Sequence, residues 1–266
     1  MPRSAAIVSR LDMAATFGHR GIANNASLQE WNCQPQALSL KQVIRKDCMN
    51  HIVPPSFLFQ YSLQIPRLDD MPGKKRGMLS LPESCSLFIP SQLNSRSAHM
   101  NLRMAWNPDG LGMELRLRGK SNAAAGRWSD PVHSDWIQFL VDTRHTANVQ
   151  RATEYCTSIS VMVADDDAED VATVRFTEIA QQRVGRYAPD AKKCRVESQV
   201  VEDGYKVSLW VPGSQIPGYE QVPETGMIGF YCVVHDTELG ELPLSIGDDF
   251  PVTWNPSTWI PVELKP

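Results

Sequence analysis

Hydrophobic and polar residues alternate with a period of two through much of the chain after about residue 57. Met100, Leu102, Met104 and Trp106 are interleaved with Asn101, Arg103 and Ala105. After Asn107-Pro108-Asp109-Gly110 the alternation resumes, with Leu111, Met113, Leu115 and Leu117 set against Gly112, Glu114, Arg116 and Arg118. Successive side chains of a strand point to opposite faces, so each stretch carries one apolar face. Proline presets φ and glycine tolerates positive φ, so the link predicts a tight turn and the whole a β-hairpin. A second hairpin is predicted where 196–201 leads through Glu202-Asp203-Gly204 into Tyr205, Val207, Leu209 and Val211, which alternate with Lys206, Ser208 and Trp210. Asp-Gly is a favoured pair for a two-residue hairpin loop. Further strands are predicted at 57–64, 136–142, 157–163, 171–179 and 227–234. The last is apolar on both parities from Ile228 to Val234, the pattern of a central strand buried on both faces.

Helical signals are sparse: a short helix at 146–155 and a single turn at 215–219. Many short strands punctuated by proline-containing loops predict an all-β fold, an antiparallel β-sandwich, jelly-roll-like, with short helical turns, over residues 54–266. Residues 1–53 are polar without a sustained period and are expected to be a mostly unstructured N-terminal tail. Trp106 and Trp136 are expected in the core.

Composition narrows the function classes. With 266 residues, 42% hydrophobic and 21% charged, the chain has ordinary globular chemistry and is long enough for one large domain. No window approaches the roughly 18 consecutive apolar residues of a membrane helix, so no membrane partner is expected. The 26 basic and 30 acidic residues give a net charge of -4, which argues against nucleic acid as a partner. The apolar run at 5–8 is too short for a secretory signal. As written the chain reads as cytoplasmic; a true start at Met49 would reopen secretion.

The six cysteines, Cys33, Cys48, Cys85, Cys156, Cys194 and Cys232, form no C-x-x-C pair and read as free thiols rather than a zinc site or a disulfide framework. No nucleophile elbow, phosphate loop or His-Glu-x-x-His helix is present, so no enzyme class is indicated. His133 and His145 flank one predicted strand, and with Cys156 they are the minor candidate for a thiol–imidazole nucleophile. The acidic stretch 164–170 reads most simply as a solvated connection, with a calcium loop, and so calcium as a cofactor, the lesser reading.

Several segments in the same order resemble the family 9 carbohydrate-binding modules, β-sandwiches related to DOMON-type domains. They are Ser134-Asp135-Trp136-Ile137-Gln138-Phe139-Leu140-Val141-Asp142, the Gly204-Tyr205 strand, Ile228-Gly229-Phe230 with Asp236 closing its strand, and Trp254-Asn255-Pro256-Ser257-Thr258-Trp259. Asp142-Thr143-Arg144 followed by Arg151-Ala152 and Cys156 is similar to bacterial relatives of the planctomycete type. The resemblance covers residues 98–265 and implies a non-catalytic module that binds a carbohydrate end between exposed tryptophans. Carried over position by position, it implies ligand-binding roles for Trp128, Gln138, Asp142, Arg144, Trp254 and Asn255. Gln138 stands where the family has an acidic anchor, Ser208 where a glutamate is common, and none of Thr157, Ser158 and Ser160 supplies the family's arginine. DOMON-type relatives hold haem between a methionine and a histidine, for which Met162 and His235 are the candidates. The alternative is a sandwich that binds no sugar and serves as a structural or protein-interaction domain.

Overall fold

The computed structural model describes residues 53–73, 77–94, 98–145, 149–169, 171–183, 188–247 and 249–266. The chain divides into the units Met1–Met49 and Asn50–Pro266. The first unit lies outside the described residues, and with it nearly all of the expected tail at 1–53, together with Cys33 and Cys48.

The described residues of the second unit form eleven strands: β1 (Leu63–Ile65), β2 (Met100–Asn107), β3 (Gly110–Arg118), β4 (Trp136–Asp142), β5 (Cys156–Asp165), β6 (Val171–Thr177), β7 (Arg195–Val201), β8 (Gly204–Pro212), β9 (Met227–Asp236), β10 (Gly240–Pro243) and β11 (Ile260–Leu264). A seven-stranded sheet runs β1-β11-β9-β4-β5-β6, with β10 also paired to β9; a four-stranded sheet runs β2-β3-β8-β7. Every pairing is antiparallel except β1 with β11. The all-β antiparallel sandwich read from the alternation is therefore the architecture. Among the described residues the one α-helix, α1 (Val222–Thr225), is a single turn that takes Pro223 near its start and ends at Gly226, φ 66°.

The core lies between the sheets. Ile137, Phe139 and Val141 of β4, Phe230 and Cys232 of β9, Leu102 and Met104 of β2, and Val207 and Leu209 of β8 are each at most 1% exposed. Each such side chain contributes about 1.5–3 kcal/mol through burial. The outer face of the smaller sheet is also covered. Met71, Leu79, Leu81 and Cys85 pack on Ala105 and Trp210, and the Leu79 and Leu81 amides donate to Ser208 Oγ and Glu114 Oε2 at 3.1 and 3.3 Å. Trp210, on the polar parity of its strand, is thereby buried.

The two hairpins form as predicted, with one shift. Their loop residues are 108–109 and 202–203, so Gly110 and Gly204 open the following strands. Gly204 has φ 151°, and a Cβ there would lie 2.4 Å from the Leu117 carbonyl oxygen. The close approach of β3, as well as the turn, requires glycine. Of the predicted strand at 57–64 only residues 63 and 64 fall in a strand, β1, which runs on to Ile65; Pro55–Phe57 forms a 3₁₀ turn. The helix predicted at 146–155 is absent over 149–155, and 146–148 lie outside the described residues. There Thr153 Oγ1 accepts from the Tyr155 amide, a local bond that competes with helix formation. The turn predicted at 215–219 is split between two 3₁₀ turns, Gly213–Gln215 and Tyr219–Gln221. The thiols of Cys85, Cys156, Cys194 and Cys232 are free. Among the described residues no helix is long and apolar enough to cross a membrane.

Candidate functional site

Because Ile137, Phe139 and Val141 face the core, Trp136, Gln138, Leu140 and Asp142 point from β4 to the outer face of the larger sheet. Strand pairing extends each into a row. The first is Glu241, His235, Trp136, Met162 and Thr173; the second is Pro243, Val233, Gln138, Ser160 and Arg175. Further along, the face is closed: Leu140 and Tyr231 are fully buried, and the Tyr231 hydroxyl donates to the Ile246 carbonyl.

Trp136, expected in the core, sits instead on this outer face, half-buried. Its ring stacks on His235 with centroids 4.0 Å apart and an interplanar angle of 11°. Burial pushes His235 down to about 4, so the imidazole is neutral at pH 7 and the pair is an uncharged aromatic surface. Trp136 also stands between Met162 and His235 in its row, and this position excludes the axial pair considered for haem.

Trp128 lies at the β6 end of the first row. Its Nε1 donates to Thr173 Oγ1 at 2.8 Å, and that hydroxyl donates to the buried Asp165 at 2.6 Å. The Arg175 guanidinium lies over the indole, 4.6 Å from its centroid. Gly126 allows the approach of this loop: a Cβ there would meet Met162 Sδ at 2.5 Å. The base of the loop is held by a buried ionic cluster. Lys120 Nζ donates at 3.2 Å to both Asp135 Oδ1 and Asp236 Oδ1, and Asp135 also accepts the Ala125 and Thr237 amides.

Trp254 belongs to the opposite end. It is half-buried and lines an open hollow of about 480 Å³ with Glu241, Asp249, Phe250, Pro251, Val252 and Thr253. Phe57 stacks on Phe250 with centroids 4.8 Å apart. Glu241 and Thr173 are four strand spacings apart, about 19 Å, with Trp136 and His235 between them. The structure therefore does not bring Trp128 and Trp254 face to face as a single slot.

The remaining sequence candidates have other surroundings. Gln138 is half-buried, and its Nε2 donates to Ser158 Oγ at 2.9 Å within a hydroxyl network that includes Thr177 and Ser160. Asn255 is engaged locally, its Oδ1 accepting the Ser257 amide and hydroxyl at 3.1 and 2.8 Å. Asp142 and Arg144 are four and six residues from Gln138, so Asp142 lies about 13 Å along the strand. Asp142 is buried and accepts the Arg144 amide at 3.1 Å, while the Arg144 guanidinium lies 3.4 Å over Tyr155. They line a separate hollow of about 340 Å³ with Arg183. Burial raises Asp142 and lowers His145 beside it.

Burial, reinforced by Asp142, pushes the Cys156 thiol up to about 12. It is a thiol at neutral pH, which removes the thiolate that a Cys–His nucleophile needs. His133 is exposed and pairs with Asp130. Among the described residues no three His, Cys, Asp or Glu side chains converge on a metal position. In the acidic loop, Asp165 is spent on Thr173 and the Asp167 amide, and Asp166 on Arg127.

Arg175 and the Lys120 cluster were not singled out from the sequence, and His235 was singled out only as a candidate haem ligand. Arg175 was in principle readable, since alternation places it on one face with Thr173 and Thr177; Lys120, Asp135 and Asp236 converge only through the fold.

Together these features define a two-sheet sandwich whose larger sheet carries half-buried aromatic rings on its outer face. No protein-family model matches the chain, and no curated protein matches it. Among solved structures, a family 9 carbohydrate-binding module from Caldicellulosiruptor kristjanssonii in complex with glucose superposes with a TM-score of 0.51, at 13% identity, over 77% of this chain and 96% of the module. A family 9 module from the same organism in complex with cellotriose gives a TM-score of 0.49 at 15% identity, over 77% and 94%. The fold is family 9 carbohydrate-binding module-like, as the sequence motifs implied.

Proposed function

We propose that the protein is a non-catalytic carbohydrate-binding module that uses the outer face of its larger sheet. The observation that carries this reading is the hollow at Trp254. A half-buried indole offers a flat apolar face to the C–H side of a sugar ring, and the exposed Asp249 carboxylate beside it offers acceptors to ring hydroxyls. The Trp136–His235 stack continues the aromatic surface, and Gln138 with its serine and threonine hydroxyls supplies polar groups beside it. The high thiol pKa of Cys156 speaks against a thiolate nucleophile at that position. The fold likeness to a module seen with glucose agrees with the reading.

The test is a glycan array followed by calorimetric titration of the full chain and of Trp254→Ala. Binding is expected to fall at least tenfold, with a loss of melting stability below that of a core cavity, about 3–5 kcal/mol. No glycan bound by the wild type, or unchanged affinity in the variant, overturns the reading. A protein-interaction role has one observation in its favour: Phe57, Leu58, Phe59 and Phe88 are 51%, 69%, 59% and 50% exposed. That role is favoured if glycans fail and Phe59→Ser changes association with other proteins.

A further inference from the structure

Among the described residues, the Trp128 end of the candidate surface carries an arginine that no carboxylate holds. Glu241 and Asp249 stand at the Trp254 end, and Arg175 at the Trp128 end. Arg175 is exposed on β6, in the same row as Ser160 and Gln138. It is unlike the arginines that carboxylates hold, and like Arg144 over Tyr155 it lies on an aromatic ring. Arg127 is paired with Asp166, Arg103 with Glu83 and Glu114, Arg116 with Asp203, and Arg67 with Asp69. Among the described residues Arg175 has no carboxylate and no hydrogen-bond acceptor, only the Trp128 ring beneath it. That ring is itself fixed, since Trp128 is tied to Thr173 and Thr173 to Asp165. The Asp165 carboxylate is buried and already accepts that hydroxyl and the Asp167 amide.

A guanidinium held over an anchored indole is pre-oriented, so less freedom is lost when it binds. Its unassigned N–H fork matches a carboxylate, which accepts two parallel hydrogen bonds. A neutral sugar hydroxyl would use one of these donors and leave the charge unmatched. Resting on the carbohydrate reading above, we propose that the ligand is an acidic glycan, and that Arg175 holds the carboxylate of a uronic acid residue at the β6 end of the surface. Trp128 is then a positioning residue for Arg175.

The experiment titrates the full chain with oligosaccharides of α-1,4-galacturonate, β-1,4-mannuronate and glucuronate-branched xylan, each beside its methyl ester. Ester and acid share every ring and differ in charge. At least one acid form is expected to bind about tenfold or more tighter than its ester at low ionic strength, with the preference shrinking as salt is raised. Arg175→Gln should abolish the preference of acid over ester, and Arg175→Lys should restore part of it. Trp128→Phe should weaken the preference without abolishing it. If esters or neutral glycans bind and no acid form is preferred, or if Arg175→Gln keeps the preference, the inference falls and the carbohydrate reading stands. Tighter binding of sulfated glycans than of any uronate overturns the uronate assignment. If no glycan binds at all, both fall.

Discussion

Replacing Lys120 by methionine tests the support beneath the candidate surface. The Lys120 side chain is completely buried, between Asp135 and Asp236 with 1% and 0% side-chain exposure. It joins the segment after β3 to the start of β4 and the end of β9, and so closes one end of the sandwich. Lys120→Met keeps the length and apolar stem of the side chain but removes the ammonium. Two buried carboxylates are then left facing each other without a counter-charge, although backbone amides still donate to both. Breaking a buried ion pair in this way costs about 3–5 kcal/mol. At roughly 2–4 °C per kcal/mol for a domain of this size, the melting temperature should fall by about 6–20 °C. Differential scanning calorimetry at pH 7 measures the fall. Lys120→Met/Asp236→Asn, which removes one of the stranded charges, should recover a substantial part of it. A single variant that melts within about 2 °C of the wild type refutes the assignment of this cluster as a stabilising tie.

Gly204→Val should destabilise the fold by at least the roughly 1–3 kcal/mol of a strained backbone position, because of its positive φ and the Leu117 carbonyl 2.4 Å from the added Cβ; an unchanged urea midpoint would show that β8 can shift away. His235, pushed down to about 4 by burial, should make stability depend on pH. The unfolded chain takes up a proton near pH 6.5 that the folded protein refuses, so this contribution is complete above about pH 6.5 and is lost as pH falls toward 4. Thermal melts of wild type and His235→Phe across that interval should converge or cross as pH drops, and parallel curves would sink the argument.

Alternation along the chain was sufficient for the fold class. A strand buried on one face must repeat its apolar residues every second position, and this holds for β2, β3 and β8 whatever their partners. The doubly apolar run in β9 likewise declared a strand covered on both sides, and Phe230 and Tyr231, on opposite parities, are both fully buried. The order of short motifs was enough to indicate the family 9-like sandwich. What alternation does not carry is which face looks inward and what covers the other. Trp136 was read as core because large aromatics usually are, yet the register with Ile137 and Phe139 turns it outward onto His235. Trp210 sat on a polar parity and was buried by a loop distant in sequence, the segment carrying Met71, Leu79 and Leu81.

The candidate site divides along the same line. Which side chains the chain has to offer, Trp128, Gln138 and Trp254 among them, is a property of the sequence. Their separation is decided by strand order: five strands in the order β10-β9-β4-β5-β6 lie between the two ends of the surface and hold Trp128 and Trp254 apart. Strand order also brings Arg175 beside Trp128 across 47 residues of chain and assembles Lys120 with Asp135 and Asp236. Local periodicity reports only the neighbours within a strand. Pairing between strands, driven by burial of both sheet faces and by closure of the hydrogen-bond ladder, chooses the neighbours across them, and that choice exists only in the folded protein.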